Sequence, residues 1–175
     1  MGNGQGILVL GFGNPGRLDD GLGPAFVKRV EALHLDGVSV DCNYQLAPED
    51  AATLSGFAYV LFVDADVSCE PPFRISQVEP ELHEGFTSHS VSPGRVLGLA
   101  QQLFSVATKA FLLGIRGYDF NEFGERLSDD ARANLDSALE YVAPYLREKS
   151  LSGIVSWGRE ASALHDTAAF DGGQP

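Results

Sequence analysis

Three side chains, Asp20, Asp64 and His89, have the types and positions to act together. Asp20 closes the glycine loop Gly11-Phe12-Gly13-Asn14-Pro15-Gly16-Arg17-Leu18-Asp19-Asp20. Asp64 follows the apolar run Phe62-Val63, and His89 lies in the polar stretch Thr87-Ser88-His89-Ser90 ahead of Ser92-Pro93. Two carboxylates and an imidazole suit a divalent transition metal and leave positions open for water or substrate. Spacing alone does not assemble them. Taken singly, Asp20 also reads as a helix cap, Asp64 as a turn residue and His89 as a surface histidine. His34, His83 and His165 have weaker contexts. There is no HExxH pair to hold a permanent zinc and no GxSxG elbow. Neither Cys42 nor Cys69 has surroundings that would lower a thiol pKa, so a covalent Ser or Cys mechanism is disfavoured.

The glycine loop carries a competing reading. Gly11, Gly13 and Gly16 spell GxGxxG between an apolar run and a helical pattern, as in a dinucleotide site. In such a site the helix begins within the fingerprint and its N-terminus meets the pyrophosphate. Here Pro15-Gly16 interrupts the turn, and Asp19-Asp20 would repel a pyrophosphate. The loop equally serves a plain chain reversal.

The elements that must position these residues alternate along the chain. Strands are predicted over 7–11, 38–42, 58–63, 73–78 and 110–115, the third ending at Asp64. Helices are predicted from Leu22 to about Leu33, over Pro48 to Leu54, from Ser92-Pro93 to Phe104, and from a Ser128 cap to about Arg147. This alternation gives an α/β fold: a mostly parallel, five-stranded sheet flanked by helices on both faces, in one three-layer domain. In such sheets ligands bind beyond the carboxyl ends of the strands. That directs attention to segments 11–24, 64–66 and 116–119, with the His89 loop able to close over the same edge. Residues 1–150 are read as the domain. Residues 151–175 are read as a mobile tail, for their polar, glycine-rich end.

Composition limits the partners. The chain has 175 residues, about one domain, with 12 basic against 24 acidic residues and a net charge of -12. That acidity argues against nucleic acid or an anionic membrane as partner. No apolar run nears the ~18 residues of a membrane span, and no cationic segment precedes Ile7-Leu8-Val9-Leu10. Two cysteines without CxxC spacing read as free thiols of a reducing compartment. A soluble, cytoplasmic protein is expected.

These segments together resemble the nickel–iron hydrogenase maturation endopeptidases. Gly13-Asn14 with the acidic pair Asp19-Asp20, the strand ending Asp64-Ala65, Ser88-His89, and Gly114-Ile115-Arg116-Gly117 occur in that family's order over roughly residues 7–147. Tyr44-Gln45-Leu46 with Glu49-Asp50, and His89 followed by Ser92-Pro93 and Val96-Leu97, look most like the branch serving bidirectional, NAD-linked hydrogenases. The resemblance implies a twisted, mostly parallel sheet. It also implies a peptidase that removes the C-terminal extension of a hydrogenase large-subunit precursor once nickel is in place. The nickel would be carried by the precursor, with no permanently bound cofactor. The family's metal-contacting positions fall on Asp20, Asp64 and His89, the first being glutamate in some members. Asn14, Asp19, Arg116 and Tyr118 are the expected substrate contacts. A non-catalytic docking module for the nickel-bearing precursor, and a dinucleotide-binding enzyme using Gly11, Gly13 and Gly16, are the alternatives.

Overall fold

The computed structural model describes residues 4–82 and 91–155. Five strands are present among them: β1 Ile7–Phe12, β2 Val38–Asn43, β3 Tyr59–Asp66, β4 Phe73–Val78 and β5 Lys109–Arg116. The helices are α1 Leu22–Glu31, α2 Asp50–Leu54, α3 Pro93–Phe104 and α4 Asp129–Arg147. A single 3₁₀ turn, Leu18–Gly21, leads into α1.

β1, β3 and β5 are apolar because the sheet is covered on both sides there. Successive side chains point to opposite faces, so each of these strands feeds two cores, while the edge strand β2 adds Val38 and Val40 to one. Ile7, Val9, Leu61, Val63, Leu113 and Ile115 pack against α1 and α4 residues such as Phe26, Val30, Leu135 and Val142. Leu8, Leu10, Val60, Phe62 and Ala110 pack against α2 and α3 through Leu54, Val96 and Leu97. The caps are those the sequence predicts. Ser92 Oγ accepts the Arg95 N–H at 3.1 Å and Ser128 Oγ accepts the Ala131 N–H at 3.3 Å, each satisfying an orphan donor of the first turn.

The sheet order is β2-β1-β3-β5-β4. β1, β2, β3 and β5 run parallel, and β4 is antiparallel to β5. The chain turns outward in one direction from β1 to β2 and in the other from β3 to β5. A crevice therefore opens at the carboxyl ends of β1 and β3, the place where such sheets bind ligands. β3 extends past Asp64 to Asp66 because β5 keeps pairing with it, Asp64 opposite Gly114 and Asp66 opposite Arg116. Its pairing with β1 stops at Val63. Asp64 thus lies within β3, not at its end, and is the first β3 residue beyond the β1 ladder.

The fold also takes in residues past Ser150, since Leu151 and Ile154 are fully buried in the α1–α4 core. Residues 156–175 lie outside the described residues. Among the described residues no helix is long and apolar enough to cross a membrane.

Candidate active site at the β1–β3 crevice

Two glycine positions bring Asp20 to Asp64. The N-terminus of α1 rests on the ends of β1 and β3: a Cβ on Gly23 would stand 2.4 Å from the Phe12 carbonyl oxygen and 2.5 Å from that of Val63. Gly13, at φ +134°, lets the loop pass the Asp20 carbonyl, which a Cβ there would meet at 2.1 Å. No side chain fits either approach. Asp20 precedes Gly23 by one 3₁₀ turn and Asp64 follows Val63 directly, so both half-buried carboxylates border the same crevice. Asp20 Oδ2 accepts the Asn14 N–H at 2.8 Å, and Asn14 Oδ1 accepts the Gly16 N–H at 2.9 Å. The Asn14 side chain shapes the loop while its backbone aims Asp20.

Burial lifts the Asp64 pKa to about 7. The Ala65 N–H, donating at 2.8 Å, relieves this in part, and the charges of Asp20 and Asp66 push it further up. That is a carboxyl group poised to exchange a proton near neutral pH. Asp66, two residues on, moves the other way. Burial raises it, but N–H donors from Ser68 and Cys69, the Ser68 hydroxyl and Arg74 at 3.2 Å outweigh that and hold it low. Asp66 fastens the β3–β4 connection. Burial pushes the Cys69 thiol up to about 11 and raises Cys42 as well. Both stay thiols at neutral pH, in keeping with the disfavoured cysteine mechanism.

The structure corrects Asp19 as a substrate contact. Asp19 is 0% exposed, and its carboxylate accepts the N–H groups of Tyr118 at 2.8 Å, Asp119 at 3.0 Å and Ser128 at 2.7 Å, and the Ser128 hydroxyl at 2.7 Å. It is a tether between the Asp20 loop and the β5–α4 connection. Burial raises its pKa and those four donors more than reverse the effect. Arg116 is also drawn inward. Its guanidinium donates to the Val67 carbonyl and to that of Cys69 at 3.3 Å, and its Nε is buried without a partner. It braces the β3–β4 connection rather than reaching outward. Tyr118, stacked 5.2 Å from the Arg116 guanidinium and 42% exposed, remains open to a partner.

His89 lies outside the described residues. Asp64 shares the sheet face of Val60 and Phe62, the face covered by α2 and α3, and His89 precedes α3 in the chain. Among the described residues no three His, Cys, Asp or Glu side chains converge on a metal position. The glycine loop does not build a dinucleotide site. α1 begins at Leu22, well past Gly16, and the 3₁₀ turn puts Asp19 and Asp20 where a pyrophosphate would meet a helix N-terminus. Beside that turn opens a cavity of about 650 Å³, lined by Leu18, Asp119, Phe120 and Ser128 among others. Sequence reading missed this wall, because it is formed by the β5–α4 connection folding back onto the glycine loop.

No family profile matches the chain. The hydrogenase expression/formation protein HupD of Thiocapsa roseopersicina is 28% identical over 192 residues, spanning 97% of this chain and 83% of its own. The hydrogenase maturating endopeptidase HybD from E. coli is 26% identical, with a TM-score of 0.58 over 84% of this chain and 93% of that one. The [NiFe] hydrogenase maturation protease HycI from Thermococcus kodakarensis KOD1 has the same fold, with a TM-score of 0.64 at 20% identity over 82% and 93% of the two chains. With the acidic crevice at the β1–β3 switch point, these relationships make the chain a peptidase similar in sequence and fold to the nickel–iron hydrogenase maturation endopeptidases.

Proposed function

We propose that the chain cuts the C-terminal extension from a nickel–iron hydrogenase large-subunit precursor and senses, through Asp20, Asp64 and His89, the nickel that the precursor carries. The observation that carries this reading is the pair Asp20 and Asp64 at one crevice, with Asp64 held near neutrality by burial and by the neighbouring carboxylates. Carboxylate oxygens and an imidazole are donors suited to a divalent ion. Two donors from the described residues leave coordination positions for His89 and for the precursor's own ligands.

The chemistry follows from the same pair. A cation brought against Asp64 favours its ionised form. The carboxylate then takes a proton from the water that attacks the scissile carbonyl, while the nickel polarises that carbonyl or the water. A precursor without nickel would leave Asp64 partly protonated and the peptide bond unplaced, and this supports a check on metal loading. Asn14 lines the approach, and Tyr118 stands at the rim. The free thiols Cys42 and Cys69 suit a reducing cytoplasm.

The test is the intact mass of a cognate precursor after incubation with the chain, with and without nickel loaded. Loss of a C-terminal peptide from the loaded form alone is the expected result. Cutting of both forms removes the nickel check and leaves a protease. Binding without cutting turns the chain into a docking module.

A further inference from the structure

We propose that Asp50 is a positioning residue for the reaction: through Asn43 it holds the glycine loop in the place from which that loop aims Asp20. The proposal rests on the endopeptidase reading above, in which Asp20 meets the precursor's nickel.

Asp50 is 8% exposed, and among the described residues no cation pairs with it. A carboxylate taken out of water needs its lone pairs met by donors. Asp50 opens α2, yet the donors it accepts lie ahead of that helix and not within it. Oδ1 accepts the Asn43 side-chain amide at 3.0 Å, and Oδ2 accepts the Ala47 N–H at 2.8 Å. Each donor has its own oxygen. An asparagine here would offer one acceptor oxygen to both. The two bonds fold the connection after β2 back on itself and fix Asn43, the last residue of that strand.

Asn43 passes this hold to the glycine loop. β1 and β2 pair as far as Phe12 and Asn43. The N–H of the next residue, Gly13, donates to the Asn43 carbonyl at 3.1 Å. On the other side β1 stops pairing with β3 at Gly11. The Asn43 bond is therefore the last grip of the sheet on this loop before it reaches Asp20. Gly13 lies against the Asp20 carbonyl, and the following N–H, of Asn14, donates to Asp20 Oδ2 at 2.8 Å. Hydrogen bonds and one peptide link thus join Asp50 to Asp20 by way of Asn43, Gly13 and Asn14. A glycine is free to adopt many backbone conformations, so its place has to be set from outside. A displacement of about 1 Å at a reacting group costs about a hundredfold in rate.

The experiment compares the full chain with Asn43→Ala, which removes one of the two bonds, and Asp50→Ala, which removes both. All proteins are measured where they are folded. The Asn14 amide is followed by NMR in the free chain, with the Leu61 amide of β3 reporting global opening. Hydrogen exchange at Asn14 should quicken about tenfold in both variants, and by more than at Leu61. Single-turnover cutting of saturating nickel-loaded precursor should slow about tenfold, with KM within about twofold of the parent. In an Asp20→Asn background the same substitutions should slow cutting by no more than about twofold, because they act through the missing carboxylate. If Asp50→Ala does not fold, Asn43→Ala supplies the same comparison. An Asn14 amide unmoved in either variant overturns the proposal and leaves the endopeptidase reading intact. A moved amide with parental cutting overturns it too, as does full slowing in the Asp20→Asn background. If the parent does not cut nickel-loaded precursor, the endopeptidase reading falls, and the Asn14 amide alone decides whether Asp50 aims the Asp20 carboxylate.

Discussion

Gly23 and Val63 touch through their backbones, the Val63 carbonyl oxygen standing 2.5 Å from where a Gly23 Cβ would be. This contact sets the distance between the segment that carries Asp20 and the strand that carries Asp64. The neighbouring atoms are backbone, so they cannot rotate away. Gly23→Ala is therefore expected to cost at least the upper end of the usual overpacking range, about 3 kcal/mol. It should also impair processing in whatever fraction folds. Urea unfolding measures the first effect and a precursor assay the second. A Gly23→Ala protein of parental stability would show that α1 does not set the crevice.

Asp64 should weaken the fold it serves. Its pKa rises from 3.8 unfolded to about 7 folded, so the folded state holds a proton that the unfolded state has released. Stability then falls as pH rises through that window, by about 4 kcal/mol at most. Asp64→Asn removes the penalty. The variant should lose processing yet be more stable than the parent at pH 8, the advantage shrinking toward pH 4. Urea titrations of both proteins at the two pH values measure the difference, and equal stability at pH 8 would contradict the burial argument.

Asp19 has the opposite sign. Its folded pKa is held below 3.8 by four hydrogen bonds despite burial. Its contribution is present above pH 3.8 and is lost as acid protonates the folded state. Asp19→Ala leaves the N–H groups of Tyr118, Asp119 and Ser128 without that acceptor, at an expected cost of about 3 kcal/mol or more. The variant should also lose part of the acid sensitivity of the parent. Thermal melts between pH 3 and pH 7 would register both effects, and a near-neutral Asp19→Ala change would refute the tether.

Asp20 separates chemistry from stability. Asp20→Asn keeps an oxygen able to accept the Asn14 N–H but removes the charge. Processing should drop at least about a hundredfold, with little change in unfolding. Because the Asp20 charge helps raise the Asp64 pKa, the Asp64 carboxyl should titrate lower in this variant, as followed by carbon NMR. Asp20→Glu, with a longer carboxylate, should retain activity. Full activity in Asp20→Asn would remove this residue from the site.

The sequence was legible where function follows strand ends. Apolar runs located β1, β3 and β5 and alternation located β2 and β4, while Asp64 stood out as a carboxylate straight after one apolar run and Asp20 as the carboxylate closing the glycine loop that follows another. α2 begins at Asp50, two residues beyond the Pro48 start read from the pattern, because Asp50 folds back to accept the Ala47 N–H at 2.8 Å and the Asn43 amide at 3.0 Å. The alternation of Phe73–Val78 marked a strand but carried no direction, since period two is the same in parallel and antiparallel pairs.

Asp19 and Asp20 show the limit most clearly. They are neighbours of one residue type, and local pattern cannot tell them apart. Asp19 finds its donors at Tyr118, Asp119 and Ser128, about a hundred residues away in the chain, so only the closing of the β5–α4 connection makes it a tether. The same closure fixes Phe123 beside Arg17, two residues that nothing in their local sequence joins. By itself the sequence determined which segments become strands and helices, and which carboxylates can reach the carboxyl edge, because hydrophobic period and chain position settle both. Tertiary structure alone decided which carboxylate is buried as structure and which faces the crevice. It also decided how far Asp64 is pushed toward neutrality, because desolvation and long-range hydrogen bonds exist only once distant loops have met.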